Sequence, residues 1–583
     1  MKTYFTGQRN VQIVITLMKQ NGIKRVVTSP GMTDVAINIS LQHDPYFELY
    51  SCVDERSAAY MACGMAAETG EPVALTCTGA TASRNYMPGM TEAYYRHLPI
   101  LAITCSQPSG RIGHYMNQVT DRTLLPRDVA NVSVTAKLIN SPEDEWEVTD
   151  KVNKAMIGLH RNGGGPCHIN LEIGGVGAGD YSVKEIKPAR KVSLYDYHEE
   201  NWPTIPSGKV SIFVGQHAIW NEKLTEVVDK FCESHNAFVM MDNTSNYRGK
   251  YGVLVPLILD QAENQYNVSE PDIDLIIHIG YVSHVTGIKA KQIWRVNEDG
   301  EMRDTFKKLT AVFAVDEQTF FNHYSQVNAE PTLAAYQQYS QEYKDLLGKI
   351  PELPFSNLWI ARKISPMFPN GSCLHLGIRN SLRSYDYFEV PSSVSVFSNT
   401  GGFGIDGGVS SLIGASMMHR DRLYFGVFGD LLFFYDMNSL GNRDLGPNVR
   451  IMIVNNGLGQ EFKNYSCGSY RFGEETDKYI AARGHYGNQS HTLIKAYAEA
   501  LGFQYLTASS KDEFEQVYKT FLNPQITDKP ILFEVFTQTE DENKALEMVT
   551  MISNKSKMMN KAKDVLQSEC MSSVKNVLKK LRK

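Results

Sequence analysis

Short apolar runs alternate with amphipathic, helix-like stretches along most of the chain. In the first 186 residues the apolar runs are Arg25–Thr28, Pro72–Cys77, Ile100–Thr104 and Cys167–Leu171, and Ser57–Thr69 has helical spacing. Apolar runs of this length, separated by helices, are typical of parallel strands that are covered on both faces. This part of the chain is therefore predicted to form a doubly wound parallel sheet.

The same alternation recurs twice more. The second set of predicted strands is Val210–Gly215, Phe238–Met241, Leu275–Gly280 and Leu309–Val315; the third is Cys373–Leu376, Val394–Ser398, Tyr424–Phe428, Ile451–Val454 and Ile531–Val535. A polar, proline-bearing stretch at 187–207 is typical of a linker. The predicted fold class is α/β, with three doubly wound parallel-sheet domains at 1–186, 187–350 and 351–546.

The last residues, 547–583, differ from the rest and are rich in lysine and methionine. Val574, Val577, Leu578 and Leu581 fall on one helical face, which predicts a basic amphipathic helical tail. Such a helix packs on its own protein or on a partner subunit more often than on an anionic membrane surface.

Charge and cysteine usage narrow the class of protein. A net charge of −6 and a pI near 6.2 do not indicate a basic surface for binding nucleic acid. Nine cysteines without a C-x-x-C pair argue against a disulfide framework and a thiolate zinc site. The first residues lack the continuous apolar segment of a signal peptide, and the apolar runs are too short to span a bilayer. The expected location is the cytoplasm.

Gly429-Asp430-Leu431 and Asn456 are the strongest chemical signal. Asp430 follows one predicted strand and Asn456 follows the next, so a carboxylate and an amide oxygen are expected at one sheet edge. Hard oxygen ligands of this kind suit Mg²⁺ bridging to a diphosphate. Taken singly, the aspartate would be a helix cap and the asparagine a turn residue.

Gly402–Gly407 offers a competing interpretation, because it matches G-x-G-x-x-G between a predicted strand and the predicted helix Val409–Met418. Asp430 lies at about the right distance for the ribose-binding acid of a nicotinamide oxidoreductase. That alternative gives Asn456 and the whole first domain no role, and it ranks second.

In the first domain, Glu55 stands at a strand-to-helix junction and is followed by small residues. Alone it would be a helix-start carboxylate, favoured by the helix dipole. Together these stretches resemble the thiamine-diphosphate enzyme superfamily in its three-domain form, as in acetohydroxyacid synthase and pyruvate decarboxylase. Within it the chain is most similar to the 2-succinyl-5-enolpyruvyl-6-hydroxy-3-cyclohexene-1-carboxylate synthases of menaquinone biosynthesis. The shared stretches are Ser29–Gly31, Asp54–Ala59, Asn85-Tyr86, Glu92–Tyr95, Asn380-Ser381, Gly404–Gly407, Gly429–Leu431 and Asp436–Asn438.

The resemblance implies a role for each matching residue. Glu55 would hydrogen-bond the aminopyrimidine ring and favour its imino form, which generates the nucleophilic carbon, and Gln118 is the other catalytic candidate. Ile405 would hold the cofactor bent. Asp430, Asn456 and the backbone carbonyl of Leu458 would hold Mg²⁺. The full cofactor-binding set is Pro30, Gly31, Glu55, Thr78, Asn85, Asn380, Ser381, Gly404, Ile405, Asp430, Leu431, Asn456, Gly459, Gln460 and Phe462.

The resemblance also implies an assembly and an activity. Active sites of this superfamily form where a pyrimidine-binding domain and a diphosphate-binding domain meet between subunits, so a homodimer or homotetramer is expected. The expected reaction is decarboxylation of a 2-oxo acid, with transfer of the remaining carbon to an acceptor. A genuine menaquinone-pathway synthase, using 2-oxoglutarate and isochorismate, is the alternative within the family.

The chain departs from those synthases where they use arginine to bind substrate carboxylates. The matching positions here are neutral: Thr33, Gln107, Tyr385 and Thr400. Loss of a guanidinium abolishes bidentate recognition of a carboxylate. Glu461 replaces an apolar residue and would repel an anionic substrate or bind a hydroxylated one; Asn117 is a further substrate-side candidate. These changes predict a less acidic substrate pair.

Overall fold

Three parallel sheets organise the part of the chain that the computed structural model describes, which is residues 5–122, 125–175, 181, 183–199, 201–218, 220–261, 272–325, 332–485 and 490–552. These sheets confirm the predicted α/β class. The predicted amphipathic tail falls, from residue 553 on, outside the described residues. Within the described ranges, no helix is both long enough and apolar enough to cross a bilayer.

The first sheet has the strand order β2-β1-β3-β4-β6-β5, and every pair is parallel. Two separate apolar clusters cover its faces, because neighbouring residues of one strand point to opposite sides: Val26 and Ala74 join one cluster, Val27 and Leu75 the other. The elements are α1 (Arg9–Gln20), β1 (Arg25–Ser29), α2 (Val35–Gln42), β2 (Glu48–Ser51), α3 (Glu55–Thr69), β3 (Val73–Thr78), α4 (Thr81–Asn85), α5 (Met87–Tyr95), β4 (Ile100–Ser106), β5 (Val132–Ala136), α6 (Pro142–Gly158) and β6 (Cys167–Glu172).

The middle sheet has the order β10-β9-β8-β11-β12-β13-β7. Its β7 lies inside 187–207, so the interpretation of that stretch as a mere linker was wrong: four partly buried residues there pair in parallel with β13. The elements are β7 (Ser193–Asp196), β8 (Val210–Val214), α7 (Glu222–His235), β9 (Phe238–Met241), β10 (Gly252–Leu254), α8 (Pro256–Leu259), β11 (Leu275–Ile279), β12 (Gln292–Val296), β13 (Leu309–Ala314), α9 (Glu317–Tyr324) and α10 (Ala334–Lys349).

The third sheet has the order β15-β14-β16-β17-β19-β18, again with parallel pairs throughout. Its elements are α11 (Asn357–Ile364), β14 (Cys373–Leu376), α12 (Asn380–Tyr385), β15 (Ser395–Phe397), α13 (Gly408–Met418), β16 (Tyr424–Gly429), α14 (Asp430–Asp436), β17 (Val449–Asn455), α15 (Leu493–Ala500), β18 (Gln504–Ala508), α16 (Lys511–Phe521), β19 (Ile531–Phe536) and α17 (Thr539–Thr550). The last described helix, α17, runs past the predicted domain end at residue 546, which stays a prediction.

The chain divides into two compact units, residues 1–200 with 300–314 and residues 201–299 with 315–583. The first unit contains the whole first sheet, and the second contains the whole third sheet. The predicted boundary between the second and third domains, at residues 350 and 351, lies within the second unit, and the division into three domains stays a prediction.

Close packing of α5 on α3 depends on Gly89. A methyl group there would lie 2.5 Å from the Cβ of Ala59 and 3.0 Å from its carbonyl carbon. We expect Gly89→Ala to destabilise the protein by about 1–3 kcal/mol, because backbone must move to relieve the overlap. The measurement is the urea midpoint of unfolding. Gly348→Ala, which adds a methyl where nothing lies within 4 Å and lies inside helix α10, is the control, and it should leave the midpoint unchanged or raise it. Equal midpoints for both variants would contradict the prediction.

Candidate active site

Glu55 and Asn85 are joined at the carboxyl edge of the first sheet. Glu55 is the first residue of α3, where Asp54 caps the helix by accepting a hydrogen bond from the Ser57 N–H at 3.1 Å. Asn85 is the last residue of α4, and its Nδ2 donates to Glu55 Oε2 at 3.0 Å. The structure thus brings together the predicted catalytic acid and a predicted cofactor residue.

The turn after β1 packs against the end of β3. A methyl on Gly31 would lie 2.7 Å from the Cβ of Thr78, so only glycine allows this approach. The Gly31 N–H donates to Asp34 Oδ1 at 2.8 Å, and burial raises the pKa of Asp34 to about 6 although that N–H bond lowers it. Asp34 was missed from the sequence, where it has the pattern of an ordinary helix cap. Pro30 beside Gly31 is exposed.

Residues predicted to face the substrate in the first unit are largely engaged with their own chain. The Thr33 hydroxyl donates to the carbonyl of Cys105 at 2.8 Å and also contacts the Thr78 hydroxyl. Gln107 donates from Nε2 to the Asn117 carbonyl at 2.9 Å. Gln118 is exposed, with a φ of +57°. Within the described part of this unit no hydrogen bond joins Gln118 to Glu55, and its catalytic role stays a prediction.

Asp430 and Asn456 occupy the carboxyl ends of two neighbouring strands in the second unit. Asp430 follows β16 and begins α14, and Asn456 follows β17, which pairs with β16 up to Gly429 and Val454. Burial raises the pKa of Asp430 to about 7, against the lowering effect of N–H groups that include those of Leu431 and Gly457. Asn456 Oδ1 is buried and accepts no hydrogen bond from the described residues.

These two side chains fit a hard divalent cation. A buried carboxylate without a countercharge is costly unless a cation neutralises it. A buried amide oxygen is costly unless a donor or a cation binds it. Mg²⁺ prefers such oxygen ligands. The Leu458 carbonyl, predicted as a third ligand, follows a left-handed turn at Gly457, where φ is +75°.

The loop after Asn456 continues the predicted cofactor surface. Gln460 is buried; its Nε2 donates to Asn464 Oδ1 at 3.2 Å, while its Oε1 accepts nothing from the described residues. The Gly459 N–H donates to the Ala481 carbonyl at 2.6 Å. A methyl on Gly459 would lie 3.0 Å from the ring of Phe462, which is half exposed.

A crevice opens among the carboxyl ends of β14, β15 and β16, and its enclosed part has room for about one water molecule. Ile405 packs, partly buried, against the apolar core of the third sheet. Ser398 Oγ and His375 Nε2 are buried in the crevice wall and find no partner in the described residues. The wall is formed by His375, Leu376, Gly377, Ile378, Ser398, Asn399, Gly404, Gly408, Phe428 and Leu432.

The strand order removes the nicotinamide alternative. In the dinucleotide fingerprint, the glycine-rich turn follows one strand and the ribose-binding acid ends the strand beside it. Here β14 lies between β15, which precedes Gly402–Gly407, and β16, which precedes Asp430. The aspartate therefore cannot serve a nucleotide bound at the glycine-rich turn.

Glu461 is paired with Arg383, and its role toward a substrate stays a prediction. The Arg383 guanidinium donates from Nη1 and Nη2 to the two Glu461 oxygens at 2.9 and 3.0 Å. Burial would raise the pKa of Glu461, but the charge and hydrogen bonds of Arg383 outweigh it and hold that pKa below its usual value. Arg383 also donates to Asn380 Oδ1 at 3.0 Å, and the buried Ser381 follows.

Two predicted substrate residues, Tyr385 and Thr400, lie inside the protein. Tyr385 is fully buried, and Thr400 is buried with its hydroxyl donating to the side-chain oxygen of Gln216. Their roles in substrate binding stay predictions.

Comparison with known proteins agrees with this geometry. Residues 9–125 match the family model of the thiamine pyrophosphate enzyme N-terminal TPP binding domain. This first part of the chain is thus similar to the N-terminal domain of the thiamine pyrophosphate enzymes. A 2-succinyl-5-enolpyruvyl-6-hydroxy-3-cyclohexene-1-carboxylate synthase of Bacteroides thetaiotaomicron is 28% identical over 563 residues, 93% of this chain and 98% of that protein. The enzyme of the same name from Phocaeicola vulgatus is 27% identical with the same coverage.

A solved structure, the thiamine diphosphate-dependent 4-hydroxybenzoylformate decarboxylase of Rhodococcus jostii RHA1, covers 91% of this chain and 99% of its own. Its TM-score is 0.40 and its identity 17%. A TM-score of this size supports no residue-by-residue comparison of the two chains. The resemblance inferred from Glu55, Asp430 and Asn456 is confirmed by the family model and the full-length relatives.

The Arg383–Glu461 pair predicts a pH-dependent stability. We expect Arg383→Met to lower the free energy of unfolding at pH 7 by roughly 1–2 kcal/mol, because it leaves the partly buried Glu461 with only the exposed Arg379, at 3.8 Å, as a cationic partner among the described residues. The folded pKa of Glu461 lies below the usual 4.5. The pair's contribution is therefore full above pH 4.5 and is lost as the pH falls through the folded value.

Urea unfolding at pH 7 and at pH 3.5 measures both effects. The difference between wild type and Arg383→Met should shrink at the lower pH. In a Glu461→Gln background the same arginine substitution should cost less. Arg362→Met, which removes an exposed guanidinium bonded only to the Pro351 carbonyl, is the control. A pH-independent loss would rule out the charge pair as its cause.

Proposed function

We propose that this protein is a thiamine-diphosphate- and Mg²⁺-dependent enzyme that decarboxylates a 2-oxo acid and transfers the remaining carbon to an acceptor. The observation that carries the proposal is the pairing of Asp430, an uncompensated buried carboxylate, with Asn456, whose buried Oδ1 has no donor among the described residues. A diphosphate-bound Mg²⁺ satisfies both. The relatives that span 93% of the chain support the same chemistry.

The first unit would supply the acid of the reaction. Asn85 binds Glu55 Oε2 and fixes the carboxylate at the start of α3, leaving Oε1 to share a proton with the pyrimidine ring of the cofactor. Thiamine diphosphate, when bound, supplies a nucleophilic carbon that attacks the 2-oxo group and accepts the electrons released with CO₂. Ile405, packed against the third sheet, would hold the bound cofactor in its bent form.

The substrate pair should be less acidic than that of the menaquinone-pathway synthases. Thr33 and Gln107 present no charge, and the carboxylate of Glu461 is matched by Arg383. The second candidate is that synthase activity itself, with 2-oxoglutarate as donor and isochorismate as acceptor. It is favoured by relatives of that name that align over almost their full length.

A homodimer or homotetramer would complete the active site. Near Glu55 the first unit exposes apolar side chains, with Val53 at 78%, Tyr60 at 48% and Met61 at 41% accessibility. The second unit exposes Met418 at 72% and Tyr435 at 59%. Exposed apolar groups of this size are typical of surfaces that a partner covers.

Release of CO₂ from 2-oxoglutarate and from pyruvate, each with and without isochorismate, tests the proposal. Reactions contain thiamine diphosphate and Mg²⁺, and a parallel set contains a chelator. We expect release from pyruvate, no capture by isochorismate, and loss of activity with the chelator. Capture of the 2-oxoglutarate carbon by isochorismate would establish the second candidate. Failure with both acids, together with failure to bind thiamine diphosphate in calorimetry, would refute both.

Glu55→Gln tests the role of the acid directly. Since an amide cannot share its proton with the ring nitrogen as a carboxylate does, CO₂ release should fall by about 10²–10⁴-fold. Exchange of the cofactor C2 proton, followed by NMR in D₂O, should slow in parallel. Glu68→Gln, at the exposed far end of the same helix, is the matched control and should retain wild-type rates. Wild-type exchange in the Glu55 variant would disprove the assignment.

A further inference from the structure

The side chain of Asn455, the last residue of β17, holds the turn that follows that strand. Its Oδ1 accepts a hydrogen bond from the Gly457 N–H at 3.2 Å, and Gly457 has a left-handed φ of +75°. An asparagine that binds the N–H two residues on fixes the backbone between them. The residues on either side of Gly457 are Asn456 and Leu458, which are both predicted metal ligands. The orientation of the Asn455 amide therefore sets the shape of the turn that carries them.

Glu534 fixes that amide from the neighbouring strand. It belongs to β19, which pairs with β17, and only 1% of its surface is exposed. Its Oε1 accepts a hydrogen bond from Asn455 Nδ2 at 2.7 Å. A carboxylate only accepts, so the amide nitrogen of Asn455 must face Glu534, and the amide oxygen is left for the Gly457 N–H. With its nitrogen and oxygen exchanged, the amide could not make either bond.

Glu534 is in turn held from β18, on the other side of β19. Its Oε2 accepts a hydrogen bond from the Tyr505 hydroxyl at 2.8 Å. Burial raises the pKa of Glu534, whereas the bonds from Asn455 and Tyr505 lower it, because they favour the ionised form. A chain of hydrogen bonds thus runs across three adjacent strands, from Tyr505 through Glu534 and Asn455 to the turn at Gly457.

We propose that Glu534 is a positioning residue for the Mg²⁺ site, acting through Asn455 on the turn that carries Asn456 and the Leu458 carbonyl. The inference rests on the proposed function, which places the cation at Asp430 and Asn456. Because Asn456 Oδ1 accepts no hydrogen bond from the described residues, its position depends on the turn. A ligand that is already oriented loses less entropy when the cation binds. Loss of a residue that orients metal ligands typically weakens metal binding by about 10–100-fold.

Binding of Mn²⁺, a paramagnetic substitute for Mg²⁺, tests the role of Glu534 without a measurement of activity. Free Mn²⁺ is followed by electron paramagnetic resonance in titrations of the full-length protein at a fixed concentration of thiamine diphosphate, with a protein-free sample as the blank. We expect Glu534→Ala to weaken Mn²⁺ binding by about 10–100-fold. Glu534→Gln should bind more tightly than the alanine variant, since its amide oxygen can still accept from Asn455 Nδ2.

A double variant tests whether Glu534 acts through Asn455. Asn455→Ala alone should weaken Mn²⁺ binding as much as Glu534→Ala does. In the Asn455→Ala background, Glu534→Ala should then have a much smaller effect than in wild type, because the residue through which it acts is gone. Ile531→Val is the control: it removes a buried methyl from the same strand, so it should lower the urea midpoint of unfolding and leave Mn²⁺ affinity unchanged.

Wild-type Mn²⁺ affinity in either Glu534→Ala or Asn455→Ala would overturn the inference and leave the proposed function standing. Weaker binding in Ile531→Val, in proportion to its loss of stability, would also overturn it, because the effect would then be one of stability alone. A wild-type protein that binds no Mn²⁺ in the presence of thiamine diphosphate would refute the proposed function, and the role of Glu534 with it.

Discussion

The carboxyl ends of parallel strands open on one edge of a sheet, and both candidate half-sites depend on this constraint. In the first sheet it places Gly31 and Glu55 after β1 and β2 and Thr78 at the end of β3. In the third it places Asp430 and Asn456 after β16 and β17. Glu55 and Asp430 also begin helices, where the dipole favours a negative charge by about 0.3–1 kcal/mol. For Asp430, burial outweighs that gain, since its pKa still rises to about 7.

Compensation of buried charge distinguishes structural groups from ligand-binding ones. Glu461 is matched by Arg383 through two hydrogen bonds, which makes the pair part of the scaffold around Asn380. Asp430 is buried and lacks a partner of opposite sign among the described residues. An uncompensated buried charge costs several kcal/mol, so a ligand of opposite sign would stabilise it. The ligand proposed for Asp430 is therefore a cation.

The central strands could be predicted from the sequence because they are buried on both faces and therefore form unbroken apolar runs. Predicted and observed bounds agree within two residues for β8, β9, β14 and β16. Edge strands such as β2 (ELYS) and β18 (QYLTA) were missed, since their exposed residues break the apolar pattern. The rule that functional residues lie at the carboxyl ends of parallel strands predicted the positions of Glu55, Asp430 and Asn456. It could not predict the Arg383–Glu461 pair, whose members are 78 positions apart, nor the burial of Tyr385.

Residues proposed to contact the cofactor and residues proposed to contact the substrate are under different physical constraints. The residues proposed to bind the cofactor are positioned by the backbone. They are a glycine that allows close approach at position 31, and polar residues at strand ends that any parallel sheet brings to its edge. A chain can therefore keep them at 28% identity to its relatives. The charge of a substrate is recognised by charged groups at the ends of side chains. A single substitution reverses or removes such a group. In this chain Thr33 and Gln107 hydrogen-bond their own backbone and Glu461 is paired internally. Under the proposed function, the same scaffold would favour a substrate with fewer carboxylates, because each carboxylate would be desolvated without a cation to receive it.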